Sequence, residues 1–183
     1  TLYRGNRTIK MCADGFSAFA SPNCNPLMEA GIQIKKGDVM PLPICSDPLK
    51  TYSITPQSIG VIMLYPGLAP EVIAHVVQQP VKALILRSYG VGNAPEQADL
   101  LKVLHDAIKQ DIIVVNLTQC IVGKVNMDDY ATGHTLREIG VINGFDMTFE
   151  ATLSKLHFLL SQNYTTKEVI KLMQTNLRGE LTN

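Results

Sequence analysis

Three runs of strand length are apolar at almost every position: IGVIMLY at 59–65, ALILR at 83–87 and IIVVNL at 112–117. A strand that is apolar on both faces must be covered on both, and a parallel sheet with helices on either side does this. Between the runs lie segments with helical spacing. APEVIAHVVQQ (69–79) places Val72, Val76 and Gln79 in helical register, and APEQADLLKVLHDAIKQ (94–110) carries a stripe of Leu100, Leu101, Leu104 and Ile108. The second of these reads as a helix with Pro95 in its first turn, Glu96 and Asp99 near its N-terminus and Lys109 at its end. Strand and helix therefore alternate, the pattern of an α/β fold of the doubly wound, Rossmann-like kind.

The rest of the chain divides around this block. Residues 1–34 are rich in turn formers (ADGF, SPNCNP, EAG) and read as irregular, with one strand over 32–35. They are expected to be the end of a preceding α/β domain. Residues 35–57 hold Pro41, Pro43, Pro48 and Pro56 and no apolar period, so they read as a linker that cannot be helical. Residues 58–183 are the smaller parallel-sheet domain. Its last third is helical. Thr148 or Asp146 can cap a helix carrying Phe149, Leu153, Leu156, Phe158 and Leu160, and Thr165 with Glu168 forms a capping box for a helix from Thr166 to about Leu177.

Sixteen Lys+Arg balance sixteen Asp+Glu. Binding to nucleic acid or to an anionic membrane needs clustered basic charge, so neither partner is expected. A small, mostly neutral substrate fits better. The apolar run at 59–65 is far short of the roughly 20 residues that span a bilayer. Residues 1–10 carry Arg4, Arg7 and Lys10 without an apolar core behind them, unlike a signal peptide, and a start at Thr1 suggests that the true beginning lies upstream. Cys12, Cys24, Cys45 and Cys120 have no CxxC spacing, which points away from a metal site and toward reduced cytoplasmic thiols.

Ligands of parallel sheets sit outside the carboxyl ends of the strands. That rule selects the loops at 65–69, 87–95 (RSYGVGNAP) and 118–133 (TQCIVGKVNMDDYATG). In the second, Gly90 and Gly92 free the backbone, Asn93 can cap the next helix, and Arg87 can grip a carboxylate through two hydrogen bonds. Equally, the loop is a plain turn whose arginine pairs with an acid. A third glycine and a downstream acid are missing for a dinucleotide fingerprint. In the third loop Thr118, Gln119 and Cys120 follow the strand directly. Without a nearby histidine, Cys120 reads as a buried structural thiol, and Asp128-Asp129 as a solvated turn. Tyr130 carries protons only if a neighbour lowers its pKa from about 10. His75, His105, His134 and His157 have no ligand partners in the pattern and read as non-catalytic. The cations at 4, 7 and 10 form either a surface patch or a setting in which Lys10 loses its proton more readily.

The segments LYRGNRT, ADGFSAFASPN, PVKALILRSYGVGNAP, VVNLTQC, YATG, EATLSKLHFLLSQ and NLRGELT together resemble the C-terminal part of the bacterial cytoplasmic type I L-asparaginases. The resemblance implies hydrolysis of L-asparagine to L-aspartate and ammonia through an acyl-threonine intermediate, without a cofactor. It assigns Lys10 to the proton relay and Tyr130 as hydroxyl partner of the nucleophile. An allosteric L-asparagine site is implied at Arg87, Asn93, Thr118 and Cys120, within a homotetramer built as a dimer of dimers. A family threonine near that site corresponds to Ile9. The family's threonine motifs, TGGTI and HGTDT, do not occur in these 183 residues. A missing N-terminal half is therefore implied, and the chain alone is expected to be inactive. The alternative is a non-catalytic module that binds an amino acid.

Overall fold

The computed structural model describes residues 1–37, 48–128 and 131–182. Four parallel strands form the central sheet in the order β5 (Ile59–Met63), β6 (Ala83–Ser88), β7 (Ile113–Thr118) and β8 (Ile142–Asn143). The three long apolar runs are thus adjacent and in register, with Ile62 beside Leu86 and Leu86 beside Asn116. The crossovers contain α1 (Pro70–Val76), α2 (Ala98–Lys109) and α3 (Ala131–Glu138), and all three contribute to one core layer. Ile62, Leu84, Leu86 and Val114 meet Ile73, Leu100, Leu104 and Leu136 there. The opposite face is covered by α4 (Phe149–Leu160) and α5 (Thr166–Met173), whose Leu156, Leu159, Val169 and Met173 pack on Ala83, Ile85, Ile113 and Val115. Both faces of β6 and β7 are therefore dry, as continuous apolar strands require. The second layer is supplied by the helices that follow the last strand.

Several boundaries differ from the sequence reading. α2 begins at Ala98, so Pro95 and Glu96 precede it and Gln97 is its N-cap. Ala94 is buried in the core, and that anchor holds the approach to the helix extended. The N-cap of α2 is therefore Gln97 and not Asn93, whose backbone pairs with Tyr89 in both directions, closing a tight turn. In α1 the buried position is Ile73, with Val77 just beyond, while Val72 faces solvent. α5 stops at Met173 because the next residues turn back: Asn176 accepts from Gly179 N, and Glu180 accepts from the backbone N–H of Leu177 and Arg178. Thr148 caps α4, and Thr165 with Glu168 closes the expected box on α5. Strand β8 and helix α3 carry too short a pattern to stand out in the sequence.

Residues 1–37 are less irregular than they read. They form two small hairpins, β1 (Ile9–Lys10) with β2 (Phe19–Ala20) and β3 (Met28–Ala30) with β4 (Ile34–Lys36). Strands of two or three residues have no detectable period, which is why a single strand at 32–35 was the most that spacing supported. Residues 48–57 have neither helix nor strand and lie along α4, where Thr55 N donates to Ser161 Oγ, Gln57 N to His157 Nδ1, and Tyr52 packs edge-on to Phe158.

Candidate functional site

At the carboxyl edge of the sheet a cleft of ≈ 290 Å³ opens between β1, the end of β7 and the start of α4. Lys10 and Ile9 border it from the N-terminal hairpin, Arg87 and Thr118 from the ends of β6 and β7, Cys120 from the following loop, and Phe149 and Glu150 from the first turn of α4. Lys10, Arg87, Thr118 and Cys120, which lie up to 110 positions apart by number, therefore share one cavity. Asn93 does not line it. Tyr130 lies outside the described residues.

Arg87 is held without being used up. Its Nη2 reaches Gln119 O at 3.5 Å, its guanidinium lies 5.9 Å from the centre of the Phe149 ring, and its Nε is buried with no hydrogen-bond partner. Among the described residues it makes no ion pair, so the pairing with an acid that a plain turn would need is not there. A half-buried guanidinium with an open donor, beside the N-terminus of the twelve-residue α4, favours a carboxylate. Thr118 Oγ1 donates to Gly90 O and accepts from Cys120 N. Cys120 is exposed, which overturns its reading as a buried thiol: residues 120–123 lie past the end of β7, where no layer covers them. Of the Asp128-Asp129 turn, Asp128 is exposed and paired with Arg137, and Asp129 lies outside the described residues.

The three cations near the N-terminus separate. Arg4 Nη1 bonds to Arg178 O, Lys10 is exposed at the cleft, and Arg7 is buried, so they form no surface patch. Arg7 donates to both oxygens of Asp146 at 2.6 and 3.2 Å, to Glu180 O at 2.8 Å, to Asn23 O at 2.9 Å and to Thr182 Oγ1 at 3.0 Å. Burial works against the Asp146 carboxylate, but hydrogen bonds from Arg7 and Thr182, with the charge of Arg7, outweigh it and hold the carboxyl below its ordinary value. Glu180 is likewise held low: burial is overcome by Lys155, 2.5 Å away, and by backbone N–H donors. This clasp ties the tail at 180–182 to the segment that carries Lys10. Sequence spacing did not reveal it, nor the part of Phe149 and Glu150 in the cleft; the available signal was the Thr148 cap, which places the start of α4 at the ligand edge of the sheet.

His75 Nδ1 contacts Glu71 O and His157 Nδ1 accepts from Gln57 N; neither lines the cleft, nor do His105 and His134. No group of three metal-type ligands occurs among the described residues, and no described helix is long and apolar enough to cross a membrane.

Residues 58–173 match the glutaminase/asparaginase C-terminal domain family. The chain belongs to that family. Over 181 residues it is 58% identical to L-asparaginase 1 of Escherichia coli, covering 99% of this chain and 54% of that protein. It is 38% identical to the 60 kDa lysophospholipase of Mus musculus, covering 99% of this chain and 32% of the relative. The crystal structure of L-asparaginase I from Vibrio cholerae superposes with a TM-score of 0.94 at 55% identity, over 99% of this chain and 55% of that one. This asparaginase-family chain thus spans about half the length of the bacterial relatives it matches.

Proposed function

We propose that the chain is the C-terminal half of an L-asparaginase and that the cleft beside Lys10 is a regulatory site for L-asparagine. The observation that carries this reading is the shared cavity of Lys10, Arg87, Thr118 and Cys120. An α-amino acid zwitterion suits it: the carboxylate meets Arg87 and the N-terminus of α4, and the ammonium meets Glu150 on the same wall. Asn93 stands apart from the cleft wall and closes the turn behind Arg87 through its backbone.

In the reaction, a threonine hydroxyl outside these 183 residues attacks the side-chain amide carbon. The C–N bond breaks and the nitrogen leaves as ammonia with the threonine's proton. Water then cleaves the acyl-threonine ester, releasing L-aspartate and restoring the hydroxyl. Lys10 moves the proton in this relay, and Tyr130 is the hydroxyl partner of the nucleophile. Backbone donors of the N-terminal half hold the oxyanion. The working form is a cytoplasmic homotetramer, a dimer of dimers, in which the unpaired Cys12, Cys24 and Cys120 stay reduced. The reading needs no cofactor.

Two measurements test it. The mass-verified chain should release no ammonia from L-asparagine alone and should do so when combined with the N-terminal half of the Escherichia coli relative; release by the chain alone sinks the split assignment. In titration calorimetry the chain should bind L-asparagine, and Arg87→Ala should abolish the heat. Binding without turnover in either preparation would favour an amino-acid-binding module.

A further inference from the structure

The central strands β6 and β7 carry two polar side chains at zero exposure, Ser88 and Asn116. Groups so placed cost free energy unless bonded, and here each has a partner. Ser88 Oγ donates to Asn116 Oδ1 at 2.5 Å, and Asn116 Nδ2 donates to Gly92 O at 2.9 Å. Ser88 has a single hydroxyl proton and Gly92 O can only accept, so the carboxamide orientation follows from the bonding. The turn at 89–93 is pressed onto this amide: Gly92 has φ +112°, and a Cβ there would lie 3.1 Å from Asn116 Nδ2 and 2.7 Å from Val125 Cγ1. Asn126 N to Val91 O at 2.8 Å and Thr118 Oγ1 to Gly90 O hold the rest of the turn. Arg87 enters this turn and Asn93 leaves it.

We propose that Asn116 is a positioning residue for ligand binding: its amide, buried beneath the 89–93 turn, fixes where Arg87 stands before a ligand arrives. The proposal rests on the effector-site reading above. A buried donor that orders a loop in advance removes an ordering cost from binding, so its loss should appear as lost affinity beyond any lost stability. Asn116→Asp keeps the shape and the acceptor for Ser88 but sets an oxygen against Gly92 O. Ser88→Ala deletes an equally buried polar group while leaving the Asn116 bond to the turn in place.

The test is titration of L-asparagine into the chain and each variant, with urea unfolding and amide exchange measured on the same samples. Asn116→Asp should weaken binding at least tenfold and speed exchange of the Gly92 and Asn93 amides, both of which bond to Tyr89 O, while leaving the β6 and β7 amides protected. Ser88→Ala should weaken binding threefold or less at a similar loss of stability. Gly92→Ala attacks the same contact from the turn and should mimic Asn116→Asp; it decides the matter if Asn116→Asp does not fold. Unchanged affinity in either turn-directed variant, or equal weakening in Ser88→Ala, overturns the proposal. Absence of binding by the unaltered chain instead removes the effector-site reading, and unaltered exchange at Gly92 and Asn93 in Asn116→Asp would still overturn the positioning role.

Discussion

The hairpin segment at 1–37 and the sheet domain at 58–182 are held by different physics. The sheet domain has two dry layers, in which Leu84, Ile85 and Leu86 have no solvent exposure at all. Across 1–37 the only buried residue is charged, Arg7, while Leu2, Met11, Phe19, Ile32 and Ile34 are exposed and Phe16 fully so. Two-stranded sheets without a core are marginal in water. The hairpins are therefore positioned by polar ties, the buried Arg7 clasp first among them, with Arg4 and Asn6 on Arg178 O and Asn23 on Gly123 beside it, and their exposed apolar side chains fit a segment that docks on further protein, as expected if residues from elsewhere complete the reacting centre. The lesson is that a residue bordering a cleft, here Lys10, can be carried on an element with little stability of its own, provided a buried ion pair fixes it to a domain that has plenty.

The contrast can be broken at its strongest point first. Leu84→Ala opens a cavity in the α1–α2 layer and should cost about 2–5 kcal/mol in urea unfolding, lowering protection across all four strands together. Arg7→Ala leaves Asp146 buried without its cation and should cost about 3 kcal/mol, with a different distribution: amide exchange at 1–37 should rise far more than in β6 or β7. Equal loss of protection in both regions would mean the hairpins and the sheet are one cooperative unit.

A smaller effect comes from pH. Asp146 and Glu180 titrate lower folded than unfolded, so the stability they add is complete above the ordinary carboxylate range near 4 and drains away as pH falls through and below it. Between about pH 5 and pH 2 the clasp should release the hairpins before the sheet melts. Asp146→Asn should flatten that dependence, and an unchanged acid profile would show that the clasp carries no linked proton. The smallest effect is expected at Phe16→Ser, within about 0.5 kcal/mol for the chain by itself, because this side chain buries nothing here. If the outward face meets the N-terminal half, the same change should weaken reassembly of activity.

Much of the fold was legible along the chain. The runs at 59–65, 83–87 and 112–117 were continuous enough to declare strands covered on both faces, and the Thr165 and Glu168 pair declared its helix start by side-chain chemistry alone. What escaped were elements too short to show a period, namely the hairpins at 9–20 and 28–36 and strand β8. Exposure escaped too: Cys120 looked like core because a small thiol usually is, but its place past the end of β7 leaves it in solvent.

The site divides along the same line. Local pattern determined that Arg87 and Thr118 stand at strand ends, since strand ends follow from hydrophobic runs and turn residues. Resemblance singled out Lys10. Only the tertiary structure decided that these residues border one cleft, that Arg7 belongs to a clasp and not to a cationic surface, and that Asn116 supports the turn behind Arg87. The physical reason is that strand and helix propensity act between near neighbours. The cleft, the clasp and the buried amide join residues as far as 175 positions apart, through hydrogen bonds and packing that no local spacing encodes.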